Sequence, residues 1–125
     1  MIRALDIERD VKAVVIKYKL THLANVEIAV VYNESTRSKA IARIWGLHKI
    51  FQIVYGTKPL YVIELLPRFS KLTCGEKLKI IAHELAHIPK TASGSLRPHN
   101  RAFWRDYRIL YKLFRCEDFT SLLSI

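Results

Sequence analysis

The chain reads as a mixed α+β domain. Three observations carry that reading. Apolar residues recur at helical spacing near the N-terminus and in two later segments. Three short runs rich in β-branched and aliphatic residues lie between turn-forming residues, as strands do. The two kinds of segment alternate along 125 residues with no linker, repeat or low-complexity stretch, which suits one domain spanning 1–125.

Ile7, Val11, Val14, Val15 and Tyr18, with charges in the gaps, predict an amphipathic helix over 5–20. "NVEIAVVY" (25–32) predicts a strand bounded by Asn25 and Asn33. A polar loop (33–39) leads to "AIARIW" (40–45), a second strand ended by Gly46. Residues 47–55 fit two readings. Leu47, Ile50, Phe51 and Val54 follow helical spacing and Gly56 stands where a helix-ending glycine would, which favours a short helix. The same residues could instead continue a hairpin. "LYVIELL" (60–66) is a strand between Pro59 and Pro67. Thr73 and Glu76 form the capping-box pattern that opens a helix, each side chain satisfying a free backbone N–H. Leu78, Ile81, Ala82, Leu85 and Ile88 give that helix an apolar stripe, and Pro89 predicts its end near His87. After the loop "KTASGSLRP", a last helix is predicted over His99–Phe114.

Composition narrows the function classes. No apolar run approaches the roughly 20 residues needed to cross a bilayer, so no membrane partner is expected. Arg3, Asp6, Glu8 and Asp10 at the N-terminus do not make a signal peptide. Cys74 and Cys116 form no C-x-x-C pair, which excludes a cysteine zinc knuckle. They are expected as free thiols, which points to a reducing, cytoplasmic setting. The net charge of +10 and pI near 9.9 attract polyanions and say nothing about chemistry.

The chemistry concentrates in "KIIAHELAHIPK" (79–90). Residues four apart lie one above the other on a helix, so His83 and His87 can aim both imidazoles at one point. Glu84 is rotated by about 100° from His83, beside that point. This suits zinc held by two imidazoles, with the glutamate as general base for a water that the zinc activates. With five His and seven Glu in the chain, a chance H-E-x-x-H is expected roughly once in a hundred such chains.

A catalytic zinc site needs a third protein ligand. His99 is the first candidate, after Pro98 and a loop long enough to bring the chain back. Asp106 is the alternative. If His99, Phe103, Asp106 and Leu110 share one helix side, Asp106 could be a ligand, or a carboxylate that orients an imidazole from behind. Glu117 is a weaker choice, and His22 and His48 read as surface or loop histidines. Arg101, Arg105, Arg108, Lys112 and Arg115 recur at spacings of three and four and form a basic ridge on the last helix. Such a ridge is either an ordinary solvated face or a contact for nucleic-acid phosphates.

Residues 61–104, above all "HELAHIPKT" and the later "RPH", resemble the small metallopeptidases of archaea and phages, and more distantly the minimal zincins, including SprT-like and M48-like domains. The likeness also touches "ARIWGLHKIFQ" (42–52). It implies a small antiparallel or mixed sheet packed on the H-E-x-x-H helix and flanking helices. It implies one Zn²⁺ per chain on His83, His87 and His99, Glu84 as general base, and the 60–66 strand bordering the substrate cleft. Pro98 departs from the pattern, since some relatives carry a histidine there. SprT-like relatives suggest proteolysis associated with DNA.

Two functions are therefore expected in order. The first is a zinc-dependent peptidase acting on a peptide or protein substrate. The second is a non-catalytic, zinc-stabilised basic domain that binds nucleic acid.

Overall fold

The structure, a computed structural model, describes residues 1–124. The elements follow in order: β1 (Ile2–Arg3), α1 (Leu5–Lys17), α2 (Thr21–Ala24), β2 (Glu27–Tyr32), β3 (Ala42–Gly46), α3 (Lys49–Tyr55), β4 (Leu60–Leu65), α4 (Cys74–Ala86) and α5 (Arg101–Leu113). Short 3₁₀ turns at Pro67–Lys71, Cys116–Asp118 and Thr120–Ser124 complete the chain. The class is α+β, as expected. The predicted first helix stops early: Lys19 adopts a left-handed φ of 54° and redirects the chain into α2. Residues 49–55 form the short helix rather than a hairpin, closed by Gly56 at φ 64°.

The sheet order is β1-β2-β4-β3. β1 and β3 pair antiparallel with their neighbours, while β2 and β4 run parallel, so the sheet is mixed. Period-two alternation along β4 turns Tyr61, Ile63 and Leu65 to one face, where all three are buried. Val30 lies opposite Ile63 and shares that core. Ile7, Val11, Val14 and Val15 of α1 and Leu78, Ile81, Ala82 and Leu85 of α4 join the same cluster. Phe103 and Leu110 bring α5 onto it, and Phe119 and Leu122 seal its C-terminal end.

Two expectations fail here. β4 does not border a cleft: β2 and β3 occupy both of its edges. The edge strands are β1 and β3. The sequence pattern marks a strand but not its place in the sheet, because the β4 partners are set by contacts far apart in the chain. The cysteines are not free thiols either: Cys74 and Cys116 form a disulfide with a Cα–Cα distance of 6.1 Å. Their wide spacing hid this, since α5 folds back along α4 and carries Cys116 to the start of that helix. The argument for a reducing compartment loses its ground. Among the described residues no helix is long and apolar enough to cross a membrane.

The disulfide spans 42 residues and ties the start of α4 to the 3₁₀ turn that follows α5. Closing a loop of that size stabilises a fold by about 4 kcal/mol in the chain-entropy account. Reduction, or Cys74→Ser with Cys116→Ser, is therefore expected to lower Tm by on the order of 10 °C in thermal melts. An unchanged Tm would show that packing alone fixes the two helices.

Candidate metal centre

α4 begins at a complete capping box: Glu76 N–H donates to Thr73 Oγ1 at 3.3 Å, and Thr73 N–H donates to Glu76 Oε1 at 3.0 Å. The buried stripe of Leu78, Ile81, Ala82 and Leu85 fixes its rotation about its axis. His83 is in its last turn and His87 caps its C-terminus, one turn apart on the same side. The chain leaves at Pro89 and returns so that Arg97 N–H donates to His87 O at 2.9 Å. Asn100 then caps α5, accepting from Phe103 N–H at 2.8 Å. His99, the residue before that cap, is thereby brought over α4.

One nitrogen from each of His83, His87 and His99 lies within 4.8 Å of the others. His83 Nε2 and His99 Nε2 are 3.1 Å apart. The Phe103 ring supports all three imidazoles, at centroid distances of 5.0, 4.6 and 4.7 Å. The Trp104 ring stacks on His99 at 5.8 Å. His87 Nδ1 is 2.7 Å from the Arg97 carbonyl oxygen. A carbonyl only accepts, so Nδ1 carries the proton and Nε2 keeps its lone pair for the cluster.

Burial, with His87 and His99 as neighbours, pushes the His83 imidazole down to about 4. Burial likewise lowers His87, against the hydrogen bond to Arg97. Both rings are therefore neutral near pH 7, the form that binds a metal. Burial alone lifts Glu84 to about 7, and the same groove that holds the three histidines is lined by this carboxyl. The donor set fits a small divalent ion. Tetrahedral ligands at about 2.0–2.1 Å stand roughly 3.3 Å apart, close to the His83–His99 spacing.

The groove has a volume of about 690 Å³. Residues 39–45, including β3, form one wall, and Ile80, His83, Glu84 and His87 form the other, with Leu96 and His99 at the end.

The remaining sequence candidates lie elsewhere. Among the described residues no Asp, Glu or Cys joins the three histidines. Asp106 is buried beside Arg97, whose Nη2 donates to it at 2.5 Å, with Lys90 and Arg105 nearby. Burial pushes its carboxyl up, but Arg97, Lys90 and Arg105 together hold it below the ordinary range. The predicted shared side fails because α5 starts at Arg101, which leaves His99 outside the helix. His22 is half-buried among Lys90, Arg97 and Asp106, His48 precedes α3, and Glu117 sits in a 3₁₀ turn. Arg101, Arg105, Arg108, Lys112 and Arg115 are all exposed. Trp104 and Tyr111, which alternate with them in the sequence, are exposed as well.

Sequence reading missed Arg97 and the support that Phe103 gives the three imidazoles. Arg97 donates through Nε to Ala86 O at 2.8 Å and through Nη2 to Asp106, while its carbonyl accepts a hydrogen bond from His87 Nδ1–H. A backbone carbonyl leaves no mark in a residue pattern. Phe103 reads as ordinary core.

The fold and the site define a small α+β domain built around a three-histidine pocket suited to a metal ion. The chain belongs to the family described as "Putative phage metallopeptidase", whose model matches residues 1–123. Membership in a metallopeptidase family implies a metal cofactor and peptide or protein substrates. Comparison with curated proteins and with solved structures finds no match.

Replacing Asp106 with Asn leaves the Arg97 cation buried without its counter-charge and loosens the carbonyl that orients His87. Metal affinity, read by competition with a chelating dye, is expected to fall about 10- to 100-fold, with a lower Tm. Unchanged affinity would show that Arg97 does not orient His87.

Proposed function

We propose that this protein is a zinc-dependent peptidase in which His83, His87 and His99 hold one zinc ion and Glu84 is the general base. The single observation that carries the reading is the convergence of the three imidazoles beside a buried carboxyl in an open groove. When bound, zinc polarises a scissile carbonyl and acidifies water toward a pKa of about 7. Glu84 then takes the proton from the attacking water and returns it to the leaving amine. Its position favours this role, because a carboxyl lifted by burial is a stronger base than an exposed one. His87 is kept in the metal-binding tautomer by Arg97.

The substrate would lie extended along β3, an edge strand that forms one wall of the groove, and pair with its outward backbone groups. Lys39 on that wall favours acidic residues in the substrate.

The first experiment is zinc content per chain in untagged protein purified without added metal, beside His99→Ala. About one zinc in the wild type and a large loss in the variant is expected. A variant that keeps its zinc would remove His99 from the ligand set. Glu84→Gln is expected to keep zinc and lose about 10²- to 10⁴-fold in peptide hydrolysis. Wild-type turnover by this variant would rule out Glu84 as base. The base must be ionised, so kcat/KM rises with pH through the Glu84 pKa. That limb is expected at or below about 7, since the metal charge draws the burial-raised value down.

A second reading, nucleic-acid contact through α5, is favoured by exposed Trp104 and Tyr111 among the exposed cations Arg101, Arg105, Arg108, Lys112 and Arg115. Neutralising Arg101, Arg105 and Arg108 would then weaken DNA binding and flatten its salt dependence. It is compatible with the peptidase reading.

A further inference from the structure

α3 is an amphipathic helix turned inside out. None of its seven residues is buried. Ile50, Phe51, Ile53, Val54 and Tyr55 are 51–74% exposed. At 100° per residue they cover an arc of about 200°. The partly buried residue is Gln52, whose Nε2 donates to the carbonyls of Leu47 and Ser93, each at 2.8 Å. The amide faces the protein and the aliphatic and aromatic side chains face away, the reverse of an ordinary surface helix.

The helix is held firmly in this pose. Leu47 N–H donates to Leu60 O at 2.9 Å, and Thr57 N–H closes the other end on Gln52 O at 3.1 Å. Gly46 packs so closely on Gly94 that a Cβ would stand 2.0 Å from the Gly94 carbonyl oxygen. Exposure here is therefore built in rather than a loose end.

The surroundings are cationic. Residues 35–63 contain Arg37, Lys39, Arg43, Lys49 and Lys58 and no Asp or Glu, and of these cations Arg43 pairs with Glu64 at 3.6 Å. Exposed Lys49 opens α3, and exposed Lys58 follows it in the chain just past Gly56.

We propose that α3 docks on an anionic lipid bilayer, with its apolar arc in the headgroup–acyl boundary and the flanking lysines on lipid phosphates. A protein groove covers one stripe of a helix, whereas an arc of about 200° needs a medium that closes around it. A second copy would bring two surfaces of +10 chains together. A bilayer supplies both the apolar depth and the negative charge. This mode is adsorption and requires no spanning helix.

The test is co-sedimentation with vesicles of phosphatidylcholine alone or mixed with phosphatidylglycerol. It compares wild type with Ile53→Ser/Val54→Ser, which keeps the charge and alters only exposed side chains. The wild type is expected to bind the anionic vesicles and not the neutral ones, and the variant at least tenfold more weakly with Tm unchanged. Equal binding by the variant would assign adsorption to the basic surface at large and overturn the proposal. So would absence of binding to anionic vesicles, or a wild-type dimer that the variant turns into a monomer. None of these readouts depends on hydrolysis.

Discussion

Arg97 is the point on which the site depends. Its N–H and carbonyl both engage His87, its Nε satisfies Ala86 O at the open end of α4, and its Nη2 reaches Asp106 on α5. The last carbonyls of a helix lack intrahelical partners, and here one guanidinium and one backbone N–H supply them. The same residue thus ends α4, sets the His87 tautomer and docks α5. Its side chain is only 10% exposed, so the charge is tolerable only because Asp106 is equally buried beside it. A buried pair of this kind adds little net stability. Its use is that it admits one arrangement of the two helices.

That arrangement explains the division of labour among the aromatic residues. Phe103 presents one ring to three imidazoles, so none can swing away without opening a void under the others. The disulfide holds the opposite ends of α4 and α5 together. The two helices are therefore pinned at the disulfide by a covalent bond and at the metal pocket by the Arg97–Asp106 pair. Strand β3 and the loop carrying Leu96 are positioned from the other side, through Gly46 against Gly94 and Tyr61, whose hydroxyl donates to Ser95 O and accepts from Gly94 N–H. The groove runs between these two constructions.

The charge of the chain is distributed in a way that composition hides. One cationic surface follows the outer side of α5, interleaved with Trp104 and Tyr111. The other surrounds α3 and the edge of β3, where acidic residues are missing over residues 35–63. Several acidic side chains sit instead at structural posts. Glu8 pairs with Arg3, Glu64 accepts from Asn33 and Trp45, and Asp118 accepts from Lys17 and Tyr18. On these faces Arg43 reaches Glu64 at 3.6 Å and Arg105 reaches Asp106 at 3.3 Å.

Sequence alone determined the features that are local. The capping box at Thr73, the amphipathic stripe of α4, the stop before Pro89 and the one-turn spacing of His83 and His87 follow from helical geometry within a few residues. The strand periodicity and the Gly56 cap are legible for the same reason. Tertiary structure decided everything that joins distant segments. It placed β4 inside the sheet and β3 at its edge, paired Cys74 with Cys116, and gave Asp106 to Arg97 instead of to the histidines. It turned the apolar side of α3 outward, although its pattern matches that of a helix packed inward. Periodicity records which residues share a face. What that face meets is set by chain reversals whose contacts span tens of residues, and no local pattern encodes them.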